Sequence, residues 1–147
     1  MHYILSTKNE RLKHMQVEHS RTSVYAIEYH VVFVTKNRRK VITGDIKDDL
    51  YSALADVCKK NKTYQLQSIN GEEDYVHLLI TTNPRQNIPA MIKQLKGSSA
   101  KTILAAHPEI KQHLWGGHFW SPTYFIATVS ENTEQQIKEY IETQNER

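Results

Sequence analysis

The run Asp74-Tyr75-Val76-His77-Leu78-Leu79-Ile80 constrains the fold more than any other stretch of this chain. Aliphatic and β-branched residues follow a polar, turn-forming lead-in, Asn70-Gly71-Glu72-Glu73, which predicts a strand. Side chains alternate along a strand, so Val76, Leu78 and Ile80 share an aliphatic face that belongs on a core. Tyr75, His77 and Leu79 share the other face, where a phenol and an imidazole stand side by side. A single strand histidine is more often structural than functional, so this face alone assigns no chemistry.

The rest of the chain arranges itself around that strand. Val24 to Thr35 (VYAIEYHVVFVT) reads as a strand dense in β-branched and aromatic residues. Tyr25, Ile27, Tyr29, Val31 and Phe33 fall on one of its faces, and Glu28, His30, Val32 and Val34 on the other. Asp45 to Lys60 is predicted as a helix with Asp45 as N-cap and an apolar stripe of Ile46, Leu50, Leu54 and Val57. Thr63 to Ile69 alternates as a strand, and the Asn70-Gly71 region joins it to the His77 strand as a hairpin. Asn87 caps a second helix with Pro89 in its first turn. Ile88, Met91, Ile92, Leu95 and Ile103 mark that helix's buried face, with Lys93, Lys96 and Lys101 lying off it. Tyr124 to Val129 is a fourth strand, and a last helix runs from about Glu134 to Gln144, with Thr133 and Gln136 at capping-box spacing. The order β-α-β-β-α-β plus a C-terminal helix is the split βαβ, ferredoxin-like α+β arrangement. It implies a four-stranded antiparallel sheet with two helices on one face and the first and third strands adjacent at its centre. His30 and His77 then lie on neighbouring strands, with their faces left open.

At 147 residues the chain forms one domain, with Met1 to Thr22 as a flexible basic arm and 23–147 as the folded unit. No apolar run approaches membrane-spanning length and no export segment stands at the N-terminus, so a cytoplasmic protein without a membrane partner is expected. Its single cysteine, Cys58, excludes an intrachain disulfide and a cysteine-based zinc site. The net charge of +3 permits nucleic-acid binding without demonstrating it. Lys36, Arg38, Arg39 and Lys40 crowd the end of the first strand; they suit a solvated turn or a loop that grips phosphates. On the second long helix, Lys93 and Lys96 carry the same two readings.

Tyr140 and Gln144 lie one helical turn apart on the last helix, offset from Ile137 and Ile141, which suit packing. A tyrosine that loses its proton can attack phosphorus and form a covalent intermediate. An amide oxygen can ligate a hard cation such as Mg²⁺. The bland alternative is an ordinary surface tyrosine and glutamine.

Taken together, these pieces resemble the single-tyrosine HUH transposases of small bacterial insertion sequences, the TnpA type. The similar segments are Tyr29-His30 followed by Lys36 to Lys40, the Asp74 to Ile80 strand, and Leu95-Lys96-Gly97-Ser98-Ser99-Ala100. Leu114-Trp115, Tyr124-Phe125, Thr128-Val129 and Tyr140-Ile141-Glu142-Thr143-Gln144 complete the set. The resemblance implies a homodimer that binds imperfect hairpins at insertion-sequence ends and cuts and rejoins single-stranded DNA. It implies a 5′-phosphotyrosine intermediate on Tyr140, and a divalent cation, Mg²⁺ or Mn²⁺, held by His77 and Gln144 among others. The chain departs from the family's His-hydrophobic-His pattern, because Tyr75 stands where the first histidine is expected. A phenol with an ordinary pKa near ~10 is a poor Mg²⁺ ligand at neutral pH. Three outcomes stay open: weak binding through His77, Gln144 and water; a substitute such as His30 or Asp74; or hairpin binding without cutting. An RNA-binding sheet of similar topology is disfavoured, because the central strands lack the expected aromatic pattern.

Overall fold

The computed structural model describes residues 27–114, 117–128 and 132–144, together with the backbone of 18–19 and 24–25. Two short strands, β1 (Glu18–His19) and β2 (Val24–Tyr25), pair antiparallel with each other. The expected arm therefore contains a strand at 18–19, and its remaining residues lie outside the described ones. The main body follows as β3 (Ile27–Val34), α1 (Gly44–Lys59), β4 (Tyr64–Glu72), β5 (Tyr75–Thr82), α2 (Ile88–Ala106), β6 (Phe125–Thr128) and α3 (Thr133–Thr143). The sheet order is β4-β5-β3-β6 with all neighbours antiparallel. This is the ferredoxin-like order expected, with β3 and β5 at the centre.

Strand alternation decides what each face of the sheet carries. Val31 and Phe33 of β3 and Val76, Leu78 and Ile80 of β5 are fully buried in the larger core. Leu50 and Leu54 of α1 and Met91, Leu95 and Ile103 of α2 pack into the same cluster. Phe119 and Trp120 close it beside β3, their rings edge to face at 4.6 Å. The opposite face holds a second, smaller cluster of Val32, Val34, Tyr75, Ile137 and Ile141. The sheet is thus covered on both sides, by α1 and α2 on one and by α3 on the other.

Several local expectations are corrected. Asp45 lies inside the first turn of α1, and Thr43 is the N-cap without a side-chain cap bond. The hairpin turns at Glu73-Asp74, so Gly71 sits inside β4 opposite Val76. A side chain at Gly71 would meet the Tyr75 carbonyl oxygen and the Val76 Cα, which explains glycine in a strand interior. Thr133 belongs to α3, where its hydroxyl donates to the Thr128 carbonyl at 3.3 Å instead of capping the helix. Asn87 does cap α2, accepting from the Ala90 amide at 3.0 Å, with Pro89 in the first turn.

Candidate functional site

The second face of the sheet is where the chemistry collects. Register sets Val32 opposite His77 and Leu79 opposite His30, so the two histidines are diagonal neighbours on one face. Their rings stack at 5.0 Å, and His30 Nδ1 meets His77 Nε2 at 2.8 Å. One of the two nitrogens must carry the proton that the other accepts. Both residues are 1% exposed. A histidine pair so deep is built into the sheet before any ligand arrives.

Tyr75 stands opposite Val34 and is 4% exposed, packed among Val32, Val34, Ile137 and Ile141. Burial pushes its phenol far above the ordinary value, and the carboxylates of Glu72 and Asp74 and the Tyr51 phenol push the same way. It is a neutral side chain serving the contact between α3 and the sheet.

The amphipathic pattern of α3 turns Ile137 and Ile141 onto that cluster. Tyr140 and Gln144 consequently occupy a flank that reaches the segment before β6. The Tyr140 ring tilts against Phe125 at 5.8 Å, and its hydroxyl lies 2.8 Å from Thr123 Oγ1. Gln144 is buried, and its Oε1 accepts from Thr123 Oγ1 at 2.8 Å and from Ser121 Oγ at 3.2 Å. Lys96 holds this segment from below: its Nζ donates to the carbonyls of Ser121 at 2.6 Å and Thr123 at 3.1 Å. Burial lowers the pKa of that ammonium. Trp120 Nε1 donates to Ser99 Oγ at 3.0 Å and ties the same segment to α2.

The basic loop is itself structured. A 3-10 turn spans Lys36–Arg38, with Asn37 and Arg38 at φ of 57° and 53° in the left-handed region. Arg38 Nε donates to Asp74 Oδ2 at 2.9 Å, and Thr35 Oγ1 donates to the carbonyls of Arg39 at 2.7 Å and Asp74 at 3.1 Å. The hairpin turn and the basic loop are therefore one unit, which leaves Arg39 and Lys40 exposed. Beside it an open groove of about 360 Å³ runs along α3, lined by Arg38, Tyr75, Ile137, Lys138, Ile141 and Glu142.

Of the residues singled out from sequence, Tyr140 and Gln144 are brought together on the shared Thr123 hydroxyl, and His77 is brought to His30. Lys36, Arg38, Arg39 and Lys40 form one loop at the end of β3. Lys93 is exposed on α2, across the sheet from His77 and Tyr140, and Lys96 is half-buried under residues 121–123. Ser121 and Thr123 were not singled out from the sequence. A short polar stretch between aromatic residues carries no periodicity to flag it, and Thr123 is 17 residues from Tyr140.

The cation that the resemblance implies needs donors that are ionised or neutral and turned toward one point. Tyr75 is neither ionised nor exposed, His77 Nε2 is engaged by His30, and Gln144 Oε1 is engaged by two hydroxyls. Among the described residues, no group of three or more His, Cys, Asp or Glu side chains is placed to hold a metal ion. The residues in this arrangement do not fit the family's cation site.

The family model described as "Transposase IS200 like" matches residues 23–144. The ISDra2 transposase TnpA of Deinococcus radiodurans is 40% identical over 133 residues, covering 90% of this chain and 94% of that protein. The transposase for insertion sequence element IS200 of Salmonella typhimurium is 28% identical over 119 residues, covering 81% of this chain and 77% of that protein. A crystal structure of a transposase from Deinococcus radiodurans superposes with a TM-score of 0.82 at 41% identity, over 86% of this chain and 97% of that one. A REP-associated tyrosine transposase bound to a REP hairpin superposes at 0.53 with 13% identity, covering 84% of this chain and 68% of that one, a likeness of fold alone. The chain belongs to the IS200-like transposase family. No helix among its described residues is long and apolar enough to cross a membrane.

Proposed function

We propose that this chain is an insertion-sequence transposase that binds hairpins at the element's ends and cuts and rejoins single-stranded DNA through Tyr140. The observation that carries the reading is the seating of Tyr140 and Gln144 together on one flank of α3, at the spacing the family resemblance requires. In the forward step Tyr140 Oη attacks the scissile phosphorus, the P–O3′ bond breaks, and the tyrosine proton ends on the freed 3′-hydroxyl. The 5′ strand is left as a phosphotyrosine. In the reverse step a 3′-hydroxyl attacks that phosphorus and Tyr140 leaves, so no high-energy cofactor is consumed. The exposed Arg39 and Lys40, with Lys36 and Arg38, grip the DNA backbone, and Lys93 adds charge on the far side of the sheet. Two copies acting as a homodimer, one per end, complete the proposed assembly, working in the cytoplasm. The proposed cofactor is a weakly held Mg²⁺ or Mn²⁺, for which His77 and Gln144 would have to leave their present partners, and no step above is routed through it.

A second reading, hairpin binding without cutting, draws support from the burial of Tyr75 at the position of a missing histidine. One assay separates them: single-stranded end DNA incubated with the protein and Mn²⁺, followed by denaturing electrophoresis. The first reading expects a covalent adduct that disappears in Tyr140→Phe. A retarded hairpin without any adduct leaves the second reading standing.

A further inference from the structure

We infer that the exposed margin of β4, on the side of the sheet that carries α3, is the track on which single-stranded DNA lies as it leads toward His77. The inference rests on the transposase reading for its DNA and names a surface which that reading leaves unassigned.

Register places the track. Gln65 stands opposite Thr81, Ser68 opposite Leu79 and Asn70 opposite His77, so these β4 side chains share the face of His77. The pairing slips by one residue between Leu66 and Ser68, which leaves Gln67 as a bulge. Gln67 turns to the same face, where its Nε2 donates to Thr81 Oγ1 at 3.0 Å. Amide and hydroxyl side chains thus line the margin from Gln65 to Asn70, over ~16 Å at about 3.3 Å per residue. Gln65, Gln67 and Ser68 are exposed, and α3 packs elsewhere on this face, on Val32, Val34 and Tyr75.

The chemistry of the margin selects its occupant. Amides and hydroxyls donate and accept, which suits the base edges and backbone of an unpaired strand. Gln65, Gln67, Ser68 and Asn70 offer no apolar centre of the kind a protein interface is built on. A bulged edge is also a poor template for another chain's strand. Cations gather where the margin begins. Lys60 and Lys62 precede β4, Arg85 follows β5, all three are exposed, and neither loop carries a carboxylate. The Asn83 amide donates to the Thr63 carbonyl at 3.1 Å and holds the two loops together. An open recess of about 90 Å³ lies there, with Lys62, Gln65, Thr81 and Asn83 in its lining. At the other end, Asn70 Oδ1 is buried and accepts no hydrogen bond among the described residues. A buried acceptor without a donor is costly, and an N–H of a base supplies one. Glu72 comes next on this face, opposite Tyr75, and its carboxylate repels phosphate. The strand therefore leaves β4 at Asn70 and turns toward His77.

The experiment uses the whole chain and oligothymidylate carrying 4-thiothymidine, a probe that needs neither an insertion-sequence end nor cleavage. Irradiation should crosslink it to peptides from 62–70 and 81–85, read by mass spectrometry. Lys62→Ala with Arg85→Ala should lower the slope of log affinity against log salt by up to about 1.4, at roughly 0.7 per contact to a single strand. Gln67→Ala should weaken binding by roughly 2- to 10-fold, the span of one net hydrogen bond. All three side chains are exposed, so melting temperatures should stay unchanged and show the fold intact. Lys101→Ala with Lys111→Ala removes two other exposed cations and should leave the slope as it is. An equal fall in that control reduces the effect to net charge and overturns the track. So do crosslinks confined to other peptides, absence of oligothymidylate binding, or unchanged affinity in both track variants. If crosslinks fall on the track while no end DNA forms an adduct, the track stands and cleavage through Tyr140 fails.

Discussion

The two faces of the sheet are built on different principles. Against α1 and α2 the sheet presents mostly aliphatic and aromatic side chains, and these join Leu50, Leu54 and Trp120 in one core. Against α3 it presents Val32, Val34 and Tyr75, which meet Ile137 and Ile141 at one end, and, farther along, Glu28, His30 and His77, which are 6%, 1% and 1% exposed. Apolar area removed from water stabilises in proportion to its extent, so the first face holds the domain together. The second face holds one 11-residue helix. A helix attached by so small a contact is the part expected to open first. The helix that carries Tyr140 and Gln144 is therefore held less firmly than α1 and α2.

Core substitutions test that contrast directly and should have the largest effects. Leu78→Ala, at a fully buried site of the first face, should cost ~2–5 kcal/mol in a global urea transition. Ile137→Ala, at 2% exposure on the second face, removes as many side-chain carbons. It should act locally: amide hydrogen exchange of α3 should accelerate strongly while α1 and α2 stay protected. If both variants lower the global transition equally and leave α3 protected, the two faces form one cooperative unit and the contrast fails.

Tyr75 sharpens the comparison, because it sits where packing and chemistry compete. Tyr75→His returns an imidazole to the His77 face and places a polar ring among Val32, Val34, Ile137 and Ile141. Burying that ring should lower stability by ~1–3 kcal/mol. The same change should raise Mn²⁺ affinity and adduct yield, by more than the ~10- to 100-fold typical of a lost supporting residue around a metal. Calorimetric titration with Mn²⁺ measures the first gain and denaturing electrophoresis the second. A wild type that already equals Tyr75→His in both would show that the phenol costs the site nothing.

The basic loop should show a smaller effect, visible in binding rather than stability. Arg39→Ala with Lys40→Ala should weaken hairpin binding and reduce the slope of log affinity against log salt by up to about 2, since each phosphate contact contributes roughly 0.9. Arg38 is the less clean probe, because its ion pair with Asp74 also fixes the hairpin turn. A retardation series from low to high salt reads the slope, and an unchanged slope removes the loop from the DNA surface.

The smallest effect lies on the first face, between its two helices. His107 Nε2 meets Asp49 Oδ2 at 2.6 Å, and that hydrogen bond raises the His107 pKa above its ordinary value, aided by the charges of Asp49 and Glu109. A base whose folded pKa is raised contributes stability that is complete below its unfolded pKa, near ~6.5. That contribution declines as pH rises through the folded value. His107→Ala should therefore narrow the stability difference between mildly acidic and mildly alkaline buffer. Melting curves across that window would refute it by showing the same pH dependence in both proteins.

How much of this could be read before folding follows from what each part depends on. Periodicity is a local property, so the two-residue alternation of β3 and β5 and the helical stripe of Leu50 and Leu54 announced the elements and the larger core. The element order then dictated the ferredoxin-like sheet. Tyr140 and Gln144 were legible because one helical turn separates them, whatever surrounds the helix. What sequence could not supply was anything that depends on register. His30 and His77 are 47 residues apart, and only the offset that sets Val32 opposite His77 turns them into a contact. A slip of one residue would have sent one of them to the other face. The departure at Tyr75 was visible in the chain, but its meaning as an anchor for α3 required the packing of Ile137 and Ile141. Ser121, Thr123 and Lys96 came together only when two distant segments, 121–123 and α2, closed on the end of α3. Hydrogen-bond partners are selected by distance in space, and residue order does not encode that distance until the chain is folded.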